Sequence, residues 1–270
     1  MLTRTSKPFP PIRLAALGAG LHALIVPVLA LLAWGLAARR GWLPEQVLPG
    51  PGQVRDALLQ TWDSGELLSA VAISLQRVFL GFALGAGLGL ALGAAMGLSR
   101  RVREYLDPSF RATVYLPLLG WVPLFVMLLG VGESLKIALI AKAALVPVAL
   151  NTYGGIRSVP RQYFELADVY RYSLRQRLWR VVFPAALPQV WSGLRMGLSV
   201  SFLILVAIEF MAASEGLGYL MVSGQQLFQM DLVLAMALVI GVIGLLQDRV
   251  LAGIEAWLLR WRRPVFGERA

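Results

Sequence analysis

The chain has 270 residues but no cysteine, one histidine and only three lysines. Without cysteine it forms no disulfide, thiolate metal site or cysteine nucleophile. Lys7, Lys136 and Lys142 each follow a residue other than glycine, so the Gly-Lys-Ser/Thr end of a phosphate-binding loop is absent. No Ser/His/acid set and no metal-ligand cluster is apparent. We therefore expect no catalytic, cofactor-binding or metal site, and no ATP hydrolysis by this chain itself.

Charge is also scarce. Charged residues make up 15% of the chain and hydrophobic residues 58%, with a mean hydropathy of +0.69, whereas a soluble domain carries about 25% charged residues. The apolar residues form long runs, which is typical of a membrane protein. The net charge of +10 comes mostly from arginines between these runs, a pattern that indicates membrane topology rather than nucleic-acid binding.

Six apolar segments predict an all-α, polytopic membrane protein with six transmembrane helices. They lie near residues 14–38, 78–99, 112–132, 135–151, 187–213 and 232–247. Residues 1–13 and 264–270 are predicted to be cytoplasmic tails on a membrane domain of residues 14–263. Met196–Asp248 contains no lysine or arginine, so the positive-inside rule places both termini and the arginine-rich loop after the fourth span in the cytoplasm. Arginines 39, 40 and 55 lie on the other side and weaken this bias slightly.

Two outer elements and one glycine pattern are also predicted. A short helix at Gln53–Trp62 and the loop Ser214–Asp231 are expected on the outer face, the helix along the interface. Glycines recur every fourth residue in the second span, at positions 81, 85, 89, 93 and 97. Such a stripe allows a second backbone to approach closely, either as ordinary internal packing or in a helix that slides against its neighbour.

Lys142 is the charge that lies deepest in a predicted span. It follows Glu133 by nine residues, which places it about 13 Å into the bilayer, where a lysine needs a partner or water. One interpretation is an ion pair with Glu209. The other is a fixed positive charge that attracts an anion, and the two are compatible.

The segment "ELADVYRYSLRQRLWRVVFPAALP", residues 165–188, separates the fourth and fifth spans. Its apolar spacing predicts two short cytoplasmic helices, after which Pro184 and Pro188 break the chain. The arginines could meet anionic lipid, or the helices could dock a soluble partner. The residues alone favour neither.

This segment resembles the "EAA" coupling loop of ATP-binding cassette (ABC) importer permeases. Glu165-Leu166-Ala167 and Val182-Phe183-Pro184 stand at the family's spacing, whereas Arg171 replaces the usual glycine. A longer ordered series is similar to the nitrate/sulfonate/taurine class, and the stretches "SGEL" and "NTYGGIRSV" favour its aliphatic-sulfonate branch. The series comprises Leu48-Pro49-Gly50-Pro51, Ser74, Arg77, Gly81-Phe82, Trp121-Val122-Pro123-Leu124, Gly130-Val131-Gly132-Glu133, Asn151-Thr152, Gly155, Glu209 and Gly216-Leu217-Gly218.

The resemblance implies a type I ABC importer permease fold, with a coupling loop at about residues 156–184. It implies that two ATPase subunits, which bind ATP and magnesium, dock on this loop, that a second permease copy pairs with this chain, and that an external binding protein delivers a small anion to the inner (plasma) membrane. The implied coupling residues are Glu165, Ala167, Tyr170, Arg171 and Leu174. Candidate residues for the translocation pathway are Lys142, Glu209, Trp121 and Pro123.

An ion-coupled secondary transporter is the alternative function. Such proteins usually carry several intramembrane acids or an inverted repeat. This chain has few deep charges and no convincing repeat.

Overall fold

The computed structural model describes residues 12–42, 44 and 47–261, with side chains from residue 25 onward. Every regular element in these residues is helical, which confirms the all-α prediction. The helices are α1 (Ile12–Arg39), α2 (Pro51–Asp63), α3 (Glu66–Leu98), α4 (Arg100–Tyr115), α5 (Val122–Leu129), α6 (Glu133–Arg157), α7 (Arg161–Val169), α8 (Leu174–Arg177), α9 (Phe183–Ala212), α10 (Leu217–Gln226) and α11 (Met230–Leu258). A 3₁₀ turn (Leu118–Trp121) precedes α5, and a π-helical turn (Leu178–Val182) joins α8 to α9.

Four helices in the described residues are long and apolar enough to cross a membrane: α3, α6, α9 with the turns before it, and α11. The bent pair α4–α5 makes a fifth span if it crosses as one unit. The first predicted span coincides with α1, of which the part with described side chains, Ile25–Arg39, is apolar but shorter. The count of six spans therefore remains a prediction.

The predicted third span, residues 112–132, is not one straight helix. It consists of the end of α4, the 3₁₀ turn and α5, and the chain bends by 102° between its two parts. Pro117 lies at the bend and follows Leu116, whose backbone is extended. Proline lacks the N–H that would continue α4, and it disfavours a helical residue before it. The local sequence therefore accounts for the bend.

The glycine stripe of α3 packs directly on α6. A methyl group built at Gly89 would lie 2.8 Å from the carbonyl oxygen of Leu145, and one at Gly85 would overlap the carbonyl of Ala141. Gly193 and Gly197 of α9 approach α6 from another side in the same way. The close-packing interpretation is confirmed: α3, α6 and α9 approach at backbone distance, as small residues allow in lipid.

The outer elements pack on the ends of these helices. The predicted helix at Gln53–Trp62 is present as α2, but it does not simply lie along the interface. Its Val54 is buried with Leu67 of α3, Leu217 of α10 and Met236 of α11. The predicted outer loop, residues 214–231, contains α10, so this end of the molecule has its own apolar core.

Pro184 and Pro188 predicted a break before α9, but the structure has no break there. Helix α8, the π turn and α9 form one continuous apolar helix, Leu174–Ala212. The N–H of Phe183 donates to the carbonyl of Leu178, five residues back. Pro184 has no N–H for the carbonyl four residues before it, and the wider π turn directly upstream accommodates that missing bond.

Alanine substitutions at two glycines of α3 test its packing on α6. At Gly85 a new methyl group meets the α6 backbone, whereas at Gly87 of the same helix nothing lies within 4 Å. We expect Gly85→Ala to destabilise the protein by about 1–3 kcal/mol, because overpacking forces the helices apart. Thermal unfolding in detergent measures the difference.

The matched control is Gly87→Ala, which we expect to stabilise by up to about 1 kcal/mol through helix propensity. Equal melting temperatures for the two variants would contradict the packing of α3 on α6.

Candidate functional site

An ionic cluster, buried except for the exposed Glu133 side chain, joins α3, α6 and α9. The Arg77 guanidinium of α3 donates to both carboxylate oxygens of Glu133, at the start of α6, with distances of 2.7 and 2.6 Å. It also donates to Glu209 Oε1 of α9 at 2.7 Å and to the carbonyl of Glu215 at 2.7 Å. Arg77 and Glu209 are almost fully buried, with relative exposures of 3% and 1%. One arginine thus connects α3, α6, α9 and the loop after α9.

The Glu209 carboxylate has further donors. Ser74 Oγ lies 2.8 Å from each of its oxygens, and the N–H of Gly218 donates to Oε2 at 3.0 Å. The N–H of Leu217 in turn donates to Ser74 Oγ at 3.0 Å. The first turn of α10 is therefore held against α9 by its own backbone N–H groups, the groups that a helix N-terminus offers to an anion.

Gly216 shapes this contact. Its φ of +110° lies in a region that favours glycine. A methyl group there would lie 2.6 Å from the Glu209 carboxyl carbon, so a side chain would collide with the anion it packs against. The turn before α10 therefore packs directly against the Glu209 carboxylate.

Lys136 completes the charge balance of the cluster. Its ammonium donates to Glu133 Oε1 at 2.7 Å, and the lysine is 4% exposed. Two cations, Arg77 and Lys136, thus face two carboxylates, Glu133 and Glu209. Paired charges of this kind are tolerated at low dielectric, whereas removal of one partner leaves a costly buried charge.

Lys142 does not pair with Glu209, and that interpretation is wrong for this structure. Its ammonium donates to the carbonyl of Thr113 at 3.3 Å and lies 4.3 Å from the centroid of the Trp121 ring. The Thr113 carbonyl would normally accept from the N–H four residues later, but residue 117 is proline and has none. Lys142 therefore caps the C-terminal end of α4, where a cation is also favoured by the helix dipole.

The candidate pathway residues consequently fall into two groups. Lys142, Trp121 and Pro123 gather at the bend between α4 and α5, with Pro123 in the first turn of α5 and exposed. Glu209 belongs to the ionic cluster instead. In the described part of the chain Lys142 has no carboxylate partner, so its charge is balanced only by a carbonyl dipole and an aromatic ring.

The predicted coupling residues form a separate site at the other end of α6 and α9. Glu165, Tyr170, Arg171 and Leu174 are exposed, with Leu174 at 80%. Ala167 is buried at 1% in its own chain, so it positions helix α7 and does not form part of the exposed surface. Glu165 lies past the first turn of α7.

Arg171 adopts the conformation that glycine would adopt most easily. Its φ is +51°, its N–H donates to the carbonyl of Asp168 at 2.9 Å, and the N–H of Tyr172 donates to the carbonyl of Ala167 at 2.9 Å. These two bonds form a Schellman motif that ends α7. The turn is therefore made with arginine, and the ion pair between Asp168 and Arg177 holds its two helices together.

Residues 85–260 match the family described as "Binding-protein-dependent transport system inner membrane component". The chain belongs to this family. It is 37% identical over 247 residues, 92% of this chain and 90% of the relative, to a protein of Bacillus subtilis named as an aliphatic sulfonates transport permease. It is 35% identical, over 87% of each chain, to the taurine transport system permease protein of Escherichia coli. The crystal structure of an amino acid ABC transporter superposes with a TM-score of 0.59 at 18% identity, covering 73% of this chain and 96% of that one.

These similarities confirm the ABC importer permease family and its fold, in a multi-pass inner-membrane protein. The motif residues that resemble this family are scattered along the sequence but meet in the structure. Ser74, Arg77, Glu133, Glu209 and Gly216–Gly218 come from four separate segments, yet all of them lie in the one ionic cluster.

Sequence reasoning missed three charged members of that cluster as functional residues. Arg77 and Glu133 were noted only as motif positions, and Lys136 was not singled out at all. The signal was available, because each is a charged residue at the end of an apolar span. Which residues pair could not be predicted from the sequence, since the cluster joins residues more than 130 positions apart.

Among the described residues, no group of three or more His, Asp or Glu side chains could hold a metal ion. The expectation that the permease has no metal site remains a prediction for the chain as a whole.

We expect Arg77→Met to destabilise the permease by about 3–5 kcal/mol, because it leaves the Glu209 carboxylate buried without its cation. The double variant Arg77→Met/Glu209→Gln should recover part of this loss, since the pair is removed together. Thermal unfolding of the purified variants measures both changes.

The control is Arg55→Met, which removes an exposed ion pair with Asp56 and should change stability by less than about 1 kcal/mol. Independent, additive effects of the Arg77 and Glu209 changes would be inconsistent with a direct pair.

Proposed function

We propose that this chain is the membrane permease of an ATP-driven importer that moves a small anionic solute inward by alternating access. The observation that carries the proposal is the coupling element, residues 161–177, which lies between two spans and presents Tyr170, Arg171 and Leu174 to solvent. An isolated loop gains nothing by exposing the apolar side chains of Tyr170 and Leu174, whereas a docking surface does. Two ATPase subunits, each with ATP and magnesium, dock there and hydrolyse ATP in place of this chain.

The partners follow from the same arrangement. A second copy of the permease provides the second coupling element, and both termini face the cytoplasm. On the outer side, α2 and α10 receive a binding protein, consistent with the family to which the chain belongs. That family membership favours the importer over an ion-coupled secondary transporter.

We propose an aliphatic sulfonate as the solute, with taurine, nitrate or a similar small anion as the next candidates. The names of the two relatives support a sulfonate-bearing solute. Lys142 supports an anion more generally, because a membrane-embedded cation without a carboxylate partner attracts negative charge. Its position at a broken helix supports a role in the pathway, since irregular backbone at membrane depth is tolerated where it lines a cavity or is covered by protein.

Docking is tested at Leu174, which is exposed and so tolerates substitution. We expect Leu174→Glu to fold normally but to lower ATPase association and substrate-stimulated ATP hydrolysis at least about tenfold, because a buried leucine contributes about 1.5–3 kcal/mol and a buried charge opposes binding further. Co-purification with the ATPase and hydrolysis in proteoliposomes measure the effect.

The matched control is Leu227→Glu, at a residue of similar exposure that follows α10 on the outer side. It should leave association with the ATPase unchanged. Normal co-purification of the Leu174→Glu variant would rule out this docking surface.

A second test separates the two roles of Lys142. Lys142→Gln keeps a donor for the Thr113 carbonyl but removes the charge, whereas Lys142→Met removes both. If the charge serves the anion, uptake should fall about tenfold or more in both variants, since a hydrogen bond to a charged group contributes about 1.5–3 kcal/mol. Lys142→Arg should keep part of the uptake. Radiolabelled sulfonate uptake into proteoliposomes measures this.

Thermal unfolding provides the control for these variants, and Lys142→Gln should remain more stable than Lys142→Met. Wild-type uptake by Lys142→Gln would show that the lysine only caps α4.

A further inference from the structure

An apolar cleft of about 360 Å³ lies between α3, α6 and the π turn before α9. Its walls include Leu90, Ala94 and Leu98 of α3, Ile156 of α6, and Trp179 with Phe183 at the turn. Among the described residues, Thr152 supplies the only hydroxyl in the lining, and this buried hydroxyl has no hydrogen-bond partner there.

The cleft lies at the C-terminal end of α3, which the positive-inside rule predicts to face the cytoplasm. Leu90, Ala94 and Leu98 are successive positions on one face of α3, and they cover about 12 Å of the helix up to its last residue. An apolar space of this kind does not hold water stably, because water needs two or more polar partners. A hydrocarbon chain from the surrounding lipid meets no such requirement.

A basic surface adjoins the cleft. Trp179 lines the cleft on one side and, on the other, a second depression together with Arg175 and Arg180. Arg157 directly follows Ile156 and is exposed. Neither Arg157 nor Arg175 has a carboxylate partner among the described residues, and Arg180 faces only the Tyr172 ring, at 5.7 Å.

The π turn builds the wall between these two surfaces. It brings Trp179 and Phe183 together with ring centroids 5.5 Å apart, so an aromatic pair separates the apolar interior from the arginines. π-Helical turns are rare and are frequently found at functional sites. Tryptophan at such a boundary is typical of the membrane interface.

We propose that this cleft binds an anionic phospholipid of the cytoplasmic leaflet. One acyl chain fills the space between α3, α6 and the π turn, and the phosphate interacts with Arg157, Arg175 and Arg180. Charge complementarity favours this occupant, since Arg175 and Arg180 share Trp179 with the cleft and Arg157 follows a residue that lines it. None of the three has a carboxylate partner among the described residues, and the anionic lipids of this leaflet attract such clusters. The proposal concerns a structural lipid and does not depend on the solute that is transported.

Native mass spectrometry of the full-length protein tests the proposal, after equilibration with equal amounts of phosphatidylglycerol and phosphatidylcholine with identical chains. We expect the wild type to retain phosphatidylglycerol about fivefold or more in preference. Arg157→Gln/Arg175→Gln should lose this preference and keep its affinity for phosphatidylcholine. Ala94→Trp, which fills the cleft, should lower retention of both lipids about tenfold.

Two controls use residues outside the cleft. Leu88→Trp adds the same ring to an exposed position of α3, and Arg249→Gln removes an exposed arginine of α11; both should behave like the wild type. Equal retention by Ala94→Trp and Leu88→Trp, or no preference in the wild type, overturns the proposal. So does a cysteine at position 94 that cross-links two permease copies, since protein would then cover the cleft. If Ala94→Trp fails to fold, the surface arginine variant decides the question by itself.

Discussion

The Glu209 carboxylate is the group on which the packing of α3, α6, α9 and α10 around it depends. It is buried in an apolar environment where an unpaired anion would be costly, and every group that neutralises or hydrogen-bonds it comes from a different part of the chain. Arg77 and Ser74 bring α3 to it, and the N–H of Gly218 brings the start of α10. Arg77 then extends the cluster to Glu133 at the first residue of α6. Electrostatic attraction thus holds these helix ends together. In lipid, which is itself apolar, the hydrophobic effect contributes little to their association.

The same helices that meet in this cluster lead to the coupling element at their opposite ends. Helix α6 begins at Glu133 and ends at Arg157, just before α7, and α9 runs from the coupling segment to Glu209 and its neighbours. Glycine contacts along α6 keep it at backbone distance from both α3 and α9. Because these helices are stiff and closely packed, the solvent-exposed surface at one end and the ionic cluster at the other belong to one mechanical unit. The π turn is the irregular point of α9, and it lies beside the coupling element.

Lys142 shows that neutral groups can stabilise a charged side chain inside a span. Depth in the span predicted that this lysine needs compensation, and that prediction is correct. The partner, however, is a carbonyl left free by Pro117, together with the face of Trp121. The proline at position 117, rather than an acidic residue, explains the partner of the lysine. Arg171 is another residue whose structure depends on its neighbours. The Schellman turn requires a left-handed conformation at position 171, whichever residue is there.

The sequence by itself determined the helical class, most of the apolar spans, the location of the coupling segment and the glycine face of α3. Each of these depends on local composition or on a helical period, which neighbouring residues are sufficient to define. Only the tertiary structure decided that the third span bends by 102°, that α8 continues into α9 through a π turn, that Ala167 is internal and that Glu209 pairs with Arg77 and not with Lys142. The physical reason is that a charge in an apolar interior takes whichever donors the packed helices bring within about 3 Å, and that choice depends on how helices far apart in sequence approach one another.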